Sequence, residues 1–295
     1  MTQPASDAPA TGARDPLRTV LEVLDLEQLD DTTFVGASLP KPGGRVFGGQ
    51  VLAQSLLAAS RTVDDDRLPH SVHGYFLRPG DVHLPITFTV ELLRDGRSFS
   101  ARRTHALQRG VPILSLITSF QNEQTGLEHA DVMPSAPPPD DVRSVLETLA
   151  AVDHPVADFW TQASAFDLRH VEDSLYLKPG PQRTDRQMVW MRARGPVPEG
   201  QAMHRALLAY ACDQVMLEPV LRRHGHSWAS RGISIASLDH AMWWHRPVQV
   251  DEWHLYAQWA PSAQGGRGLG AAQVFAQDGT LVASIAQEGM VRVPD

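Results

Sequence analysis

The sequence predicts an α+β protein with two antiparallel sheets, each wrapped around a central helix. A run of alternating apolar and polar residues, followed by hairpin turns, occurs in the first half of the chain and again near its end. One mostly apolar helical segment precedes each run. A layout that occurs twice in the same order indicates an internal duplication.

The first meander is predicted to have three strands. Apolar and polar residues alternate over residues 86–93, which is typical of a strand with one buried face. The pair Asp95-Gly96 follows, and it is a common hairpin signal. A return strand at 98–108, an Arg109-Gly110 turn and a third strand at 111–121 complete the meander.

The second meander repeats this plan. Alternation over residues 253–259 is followed by a Gly265-Gly266 turn and a strand at 269–277. An Asp278-Gly279 turn then leads into the last strand, at 280–293.

The segments that lead into the two meanders also match. Tyr75-Phe76-Leu77-Arg78-Pro79 and Trp243-Trp244-His245-Arg246-Pro247 share an aromatic-x-x-Arg-Pro pattern. Two antiparallel meanders can resemble each other by chance, but this shared entry favours duplication.

Each meander is preceded by one helix that is apolar nearly all round. The first is predicted at 49–60, and the second at about 203–217 with its end near Pro219. A helix without a polar face is buried, so each is expected inside a curled sheet. One buried helix in a curled antiparallel sheet, present twice, describes a double hotdog fold.

The chain divides into four predicted parts. They are a disordered tail at 1–16, an N-terminal hotdog at 17–125, a linker with a short helix at 126–163 and a C-terminal hotdog at 164–295. The tail lacks the basic start and apolar core of a signal peptide. Four prolines between 134 and 139 mark the linker, and 142–151 is its predicted helix. Strands are expected to resume at 166–177 and 187–194.

Composition excludes several classes of partner. The net charge is −8 and no basic tract occurs, so no nucleic acid partner is expected. No apolar run is long enough to span a membrane.

Cys212 is the single cysteine, which excludes an intrachain disulfide and favours a reducing, cytoplasmic location. His224 and His226 lack further spaced ligands, so no metal site is expected.

Asp213 is the most informative single residue. It lies in an otherwise apolar stretch, 206–217, on a helix that is expected to be buried. A carboxylate there is costly to bury unless it is hydrogen-bonded or paired. It can serve the structure through a bond to a neighbouring backbone group or arginine, or it can act as a general base.

Ser237 and Gln287 are two further polar residues in apolar surroundings, each at a predicted strand. Taken alone, either is typical of a hydrogen-bonded core residue. Nothing in their spacing shows that they meet Asp213.

Several longer motifs resemble type II acyl-CoA thioesterases. The resemblance runs in consistent order from about residue 17 to residue 293 and so covers nearly the whole chain. In the N-terminal half the motifs are Val46-Phe47-Gly48-Gly49-Gln50-Val51, Tyr75-Phe76-Leu77-Arg78-Pro79-Gly80-Asp81 and Ser98-Phe99-Ser100-Ala101-Arg102-Arg103. In the C-terminal half they are Ala236-Ser237-Leu238-Asp239-His240-Ala241-Met242-Trp243-Trp244-His245-Arg246-Pro247 and Ala286-Gln287-Glu288-Gly289.

The resemblance implies a double hotdog fold and hydrolysis of acyl-CoA to a free acid and CoA, without a cofactor. In that family an Asp, a Thr or Ser, and a Gln hold the attacking water. These roles fall on Asp213, Ser237 and Gln287. The commonest bacterial pattern has Thr at the position of Ser237, and the serine keeps the hydroxyl.

The developing oxyanion needs hydrogen-bond donors, and the N-terminus of the opposing central helix supplies free N–H groups. The candidate is Gly48-Gly49-Gln50, whose glycines let the backbone approach the thioester closely. A tight turn that requires glycine is the alternative explanation.

Two other functions stay open at this point. Asp239 and His240 can form the catalytic pair of a hotdog hydratase for enoyl thioesters, although in the resembled motif this pair is structural. The chain can also be an acyl-CoA binding protein with weak catalysis.

The phosphates of acyl-CoA need cations. Arg78, Arg102, Arg103, Arg246 and Arg267 lie in or near the duplicated motifs, and the sequence does not select among them. A homo-oligomer is also left open, because the fused pair already supplies the usual hotdog dimer within one chain.

Overall fold

The computed structural model describes residues 15–153 and 155–293. Residues 1–14 of the predicted tail lie outside the described residues. Asp15 caps helix α1 by accepting a hydrogen bond from the Leu17 N–H at 3.0 Å, so ordered structure begins within the predicted tail. The elements of the N-terminal half are α1 Pro16–Leu24, β1 Glu27–Asp30, β2 Thr33–Gly36, α2 Gly48–Ser60, β3 Arg67–Phe76, β4 Ile86–Asp95, β5 Phe99–Gln108 and β6 Val111–Asn122.

A connecting region and a second set of elements follow. The connecting helices are α3 Val145–Ala150 and α4 Pro155–Ala163, after a single 3-10 turn at Pro139–Asp141. The elements of the C-terminal half are β7 Phe166–His170, β8 Arg186–Ala193, α5 Gln201–Cys212, α6 Glu218–His224, β9 Ser234–Ser237, β10 Asp239–Trp244, β11 His254–Gln264, β12 Arg267–Ala276 and β13 Leu281–Arg292.

The strands form one continuous antiparallel sheet in the described part of the chain. Its order is β1-β2-β4-β5-β6-β3-β10-β13-β12-β11-β8-β7, with β9 beside β13. The two predicted sheets are therefore joined edge to edge where β3 pairs with β10, and Asp239 lies opposite Tyr75 there. Both predicted meanders are present in the predicted order, and the α+β double hotdog architecture is confirmed.

The two central helices lie back to back inside the curled sheet. Every residue of α2 from Gly49 to Ala59 is buried, and α5 is buried from His204 to Cys212. The helices pack directly against each other. Burial of a side chain such as Leu52 or Leu56 contributes about 1.5–3 kcal/mol. No helix in the described residues is long and apolar enough to cross a membrane.

The second central helix is shorter than predicted. Helix α5 ends at Cys212, and Asp213 occupies its C-cap position. The prediction that this helix continues to residue 217 and ends near Pro219 is wrong. Pro219 lies in the first turn of α6, where its missing N–H is not needed and its fixed φ suits a helix. Asp213 therefore lies at a break between two helices, where its side chain can leave the core.

The connecting region does more than link the two halves. The predicted helix at 142–151 is shorter, because Ser144 caps α3 by accepting a hydrogen bond from the Leu146 N–H at 3.1 Å. The sequence did not predict α4. Leu149 is 2 % exposed and Ala157 is fully buried, so both helices pack onto the core.

Two predicted strand boundaries are wrong. The strand expected at 253–259 continues as β11 to Gln264, past Pro261, because the register shifts between Trp259 and Ser262 and the bulge tolerates a proline. The strand expected at 166–177 ends at His170, and the loop that follows includes Tyr176.

Candidate active site

Close helix-to-sheet packing brings Asp213 to the strands that carry Ser237 and Gln287. Ser237 ends β9, which pairs with β13, the strand of Gln287. A Cβ on Gly270 would stand 1.9 Å from the Met216 carbonyl oxygen, and one on Gly289 would stand 2.2 Å from Leu217. These glycines leave the space that lets the turn after Asp213 lie directly on the sheet.

The three polar residues form one hydrogen-bonded group. The Ser237 hydroxyl donates to Asp213 Oδ1 at 2.9 Å. The Gln287 amide nitrogen donates to the same oxygen at 2.9 Å and to Ser237 Oγ at 2.9 Å. The structure thus brings together the three residues that the sequence placed on separate elements.

His240 fixes the orientation of the Gln287 amide. The His240 Nδ1 lies 2.7 Å from Gln287 Oε1, and the ring is 1 % exposed. Because both amide protons of Gln287 are already donated, Oε1 accepts and His240 carries its proton on Nδ1. Burial lowers the pKa of His240, which keeps the ring neutral.

The carboxylate of Asp213 also caps the central helix of the other half. The Gly49 N–H, in the first turn of α2, donates to Asp213 Oδ2 at 2.8 Å. No side chain of the preceding residues caps this helix. A carboxylate is favourable at a helix N-terminus because free N–H groups and the helix dipole point toward it. Three donors therefore fix the direction of this carboxylate.

The two glycines at the start of α2 are required by space. Neither Gly48 nor Gly49 has a positive φ, so a tight turn does not explain them. A Cβ on Gly48 would stand 2.8 Å from Asp213 Oδ2 and 3.0 Å from the Phe76 ring. A Cβ on Gly49 would stand 2.4 Å from the Tyr210 carbonyl oxygen.

Of the three residues in the predicted oxyanion segment, Gly48 is the one whose backbone N–H is available to a reactant in the cavity. The Gly49 N–H is engaged by Asp213, and the Gln50 N–H donates to the Phe47 carbonyl at 3.2 Å. The Gln50 side chain is fully buried and bonds to the Leu39 N–H and the Ala37 carbonyl. Gly48 is the member of the segment that lines the cavity, and its N–H bonds to no residue that the structure describes.

A cavity of about 1130 Å³ opens beside Asp213, Ser237 and Gly48. Both halves and the connecting helices contribute apolar walls, which include Val51, Phe76, Leu149, Trp160, Leu217 and Trp228. Gln287 is 1 % exposed and lies behind the lining residues. A reactant in the cavity thus meets a carboxylate and a hydroxyl beside an apolar channel.

Comparison with known proteins identifies the family. The C-terminal residues 164–290 match the family model "Acyl-CoA thioesterase", and residues 37–121 match "Acyl-CoA thioesterase N-terminal domain". Acyl-CoA thioesterase 2 of Haemophilus influenzae is 36 % identical over 94 % of this chain and 98 % of its own. The chain belongs to the acyl-CoA thioesterase family.

Two further members of the family agree with this assignment. Human acyl-coenzyme A thioesterase 8 is 37 % identical over 99 % of this chain and 96 % of its own. The crystal structure of acyl-CoA thioesterase II TesB2 from Mycobacterium marinum is 42 % identical and covers 94 % of this chain and 98 % of its own, with a TM-score of 0.77. The resemblance that the motifs carried is confirmed.

The hydratase alternative finds no support in the geometry of this thioesterase-family chain. His240 bonds to Gln287, and Asp239 Oδ1 accepts from the Glu288 N–H at 2.8 Å. Neither residue is among those that line the cavity. These contacts agree with the structural role that the motif suggested for the pair.

Most of the arginines in the duplicated motifs have structural partners. Arg102 bonds to Asp95 at 2.7 Å, Arg103 to Glu91 at 3.0 Å and Arg267 to Glu288 at 3.0 Å. Arg246 donates to the Leu281 carbonyl. Arg78 is the one of the five that lines the cavity.

Sequence reasoning missed several cavity residues. Lys41 and Arg45 line it from an irregular loop, and Tyr176 lines it from a segment predicted as strand. The only sequence signal for Lys41 was its rarity, since the chain has just two lysines. Cys212 is fully buried and burial raises the pKa of its thiol, which agrees with a core residue rather than a nucleophile.

Proposed function

We propose that this protein hydrolyses acyl-CoA thioesters to a free carboxylic acid and CoA by direct attack of water. The observation that carries the proposal is the Asp213 carboxylate, which faces the cavity while three donors fix its direction. Membership of the acyl-CoA thioesterase family supports the same reaction. The proposed reaction uses no cofactor or metal.

Asp213 Oδ2 is the proposed base. Oδ1 accepts two hydrogen bonds, from Ser237 and Gln287, whereas Oδ2 accepts one, from Gly49. Because each carboxylate oxygen has two lone-pair directions, Oδ2 retains one for a water molecule. The missing side chain of Gly48 leaves space beside this oxygen.

The reaction then proceeds in two steps. Water loses a proton to Asp213 as its oxygen bonds to the thioester carbon. The carbon–sulfur bond breaks as the tetrahedral intermediate collapses, and the proton held by Asp213 passes to the departing thiolate. Ser237 can accept a hydrogen bond from the water, and Gln287 holds both Ser237 and Asp213 in place.

The N–H of Gly48 is the proposed oxyanion donor. It belongs to the first turn of α2, where the N–H groups have no acceptor within the helix. The positive end of the helix dipole adds to the stabilisation of a developing negative charge.

The test is thiol release measured with a thiol-reactive dye over a series of acyl-CoA chain lengths. We expect one free thiol and one carboxylic acid for each thioester consumed, with a preference among chain lengths set by the apolar walls. Incubation with an enoyl-CoA separates the alternatives. A hydrated product with intact thioester would indicate a hydratase, and bound acyl-CoA without thiol release would indicate a binding protein.

Cellular context is proposed from the sequence alone. We place the protein in the cytoplasm because the sequence has one cysteine, which excludes an intrachain disulfide and fits a reducing compartment. A homo-oligomer stays a prediction that sedimentation analysis checks.

His240 is expected to raise kcat indirectly, by holding the Gln287 amide in its orientation. Replacing His240 with Leu removes the donor to Gln287 Oε1, so the amide can rotate and release Asp213 and Ser237. We expect kcat to fall about tenfold, the scale of one buried hydrogen bond. The measurement is a double-mutant cycle with Gln287→Ala, in which His240→Leu causes no further loss.

The matched control is His254→Leu. His254 is also buried, at 3 % exposed, but its Nδ1 faces the Glu252 carbonyl. We expect this variant to lower thermal stability and leave kcat unchanged. An equal loss of kcat from His240→Leu with and without Gln287 would contradict a positioning role.

A further inference from the structure

Three cations line one side of the cavity. Lys41, Arg45 and Arg78 all belong to the N-terminal half, and Arg45 and Arg78 are exposed. None of the three forms a salt bridge with a carboxylate in the described part of the chain. Unpaired cations that share a cavity wall are free to bind an anion.

The backbone holds these cations in adjacent segments. Arg45 forms an isolated antiparallel bridge with Asp81, and the Val46 N–H donates to the Gly80 carbonyl at 2.9 Å. The Arg78 guanidinium donates to the Pro112 carbonyl at 2.9 Å. This donation uses one of its five N–H groups, so Arg78 keeps donors for a ligand.

Lys41 is the cation of the three that interacts electrostatically with Asp213. It is half-buried, and its ammonium group lies 5.2 Å from the centre of the Phe47 ring. Burial lowers the pKa of Lys41, and the negative charge of Asp213 opposes that effect. A partly desolvated cation gains more from a bound anion than an exposed one does.

The charge of the whole chain makes this cluster unusual. The net charge is −8, so the protein as a whole repels anions. The carboxylates in the cavity lining are Asp153 and Asp213. The other walls are mainly apolar, with Leu149, Trp160 and Trp228 among them.

We propose that Lys41, Arg45 and Arg78 bind the phosphate groups of the CoA half of the substrate. This proposal rests on the thioesterase function proposed above. CoA carries a diphosphate and a ribose phosphate, and a guanidinium binds phosphate through paired, charge-assisted hydrogen bonds. The substrate then lies with its CoA half against Lys41, Arg45 and Arg78 and its acyl chain toward the connecting helices α3 and α4.

The test compares two substrates with the same acyl chain. Acyl-CoA carries the phosphates, and acyl-pantetheine presents the same thioester without them. We expect Lys41→Met, Arg45→Met and Arg78→Met each to reduce the ratio of kcat/KM for acyl-CoA to kcat/KM for acyl-pantetheine by about tenfold. The loss should appear mainly as a higher KM for acyl-CoA. Added salt should reduce the difference in KM between each variant and the unmodified protein.

Two further variants control the experiment. Arg18→Met removes the same charge from α1, where Arg18 pairs with Glu22, and it should leave the ratio unchanged. Lys41→Arg keeps a cation and should restore most of the ratio, which separates loss of charge from misfolding.

The possible outcomes distinguish the two proposals. A ratio that stays unchanged in all three Met variants, whether both substrates lose equally or neither loses, would overturn the phosphate site. It would leave the thioesterase function intact. Failure of the unmodified protein to release thiol from either substrate would instead overturn the proposed function.

Discussion

The Asp213→Asn variant is expected to lose at least about a hundredfold in kcat, the lower range for a general base. Asparagine keeps the shape of aspartate but cannot take a proton from water. Its amide nitrogen also cannot accept from Gly49 or from Ser237 and Gln287. Initial-rate kinetics with a dye for free CoA measure the loss.

Binding of acyl-CoA should survive this substitution. The apolar walls, Arg45 and Arg78 form no hydrogen bond with Asp213 in the described residues. Calorimetric titration with a thioether analogue should therefore give a Kd close to that of the unmodified protein. Asp153→Asn is the matched control, because Asp153 also lines the cavity but forms none of the hydrogen bonds that join Asp213, Ser237, Gln287 and Gly49. Unchanged thiol release in Asp213→Asn would remove Asp213 from the mechanism.

The Gly48→Ala variant is expected to have the second largest effect, a fall in kcat of about a hundredfold, as for a reacting group displaced by about 1 Å. The new Cβ would stand 2.8 Å from Asp213 Oδ2, where the water is proposed to bind. Either the water is excluded or the carboxylate moves away from its donors. The measurement is kcat and KM from initial rates over a range of acyl-CoA concentrations.

Thermal unfolding separates this effect from loss of the fold. Alanine is a better helix former than glycine, and the Gly48 contacts are side-chain atoms rather than backbone. We therefore expect a small change in Tm. Gly126→Ala is the control, since nothing lies within 4 Å of a Cβ there. Full activity of Gly48→Ala would show that the space beside Oδ2 is not used.

Periodicity in the sequence was sufficient to predict the two meanders, but not strands β1 and β2 or the joining of the two sheets into one. Alternation over 86–93 and 253–259 located both meanders, and the turn pairs set their order. It could not predict the end of α5, because Pro219 is compatible both with the end of one helix and with the first turn of the next. The difference matters, since it moves Asp213 from a helix interior to a helix end.

The candidate site was only partly predictable. The apolar surroundings of Asp213 marked it from the residues alone, whereas Ser237 and Gln287 were linked to it through the family resemblance. Gln50 was predicted to be part of the oxyanion segment with the two glycines. Its side chain is instead buried in the core, where its amide bonds to Ala37 and Leu39. No local pattern reveals which way such a side chain faces, and tertiary contacts decide it.

Loop residues of the cavity were the least predictable. Lys41, Tyr176 and Trp228 lie in irregular segments, and the packing of three distant parts of the chain brings them to one cavity. Periodicity carries no information about such segments.

The central claim is that Asp213 activates a water molecule that attacks the thioester directly. A single turnover in water labelled with oxygen-18, with the protein in excess over acyl-CoA, tests it. We predict one labelled oxygen in the released acid and none in the peptide that contains Asp213. Label in that peptide, with unlabelled acid released in the first turnover, would mean that Asp213 itself attacks the acyl group.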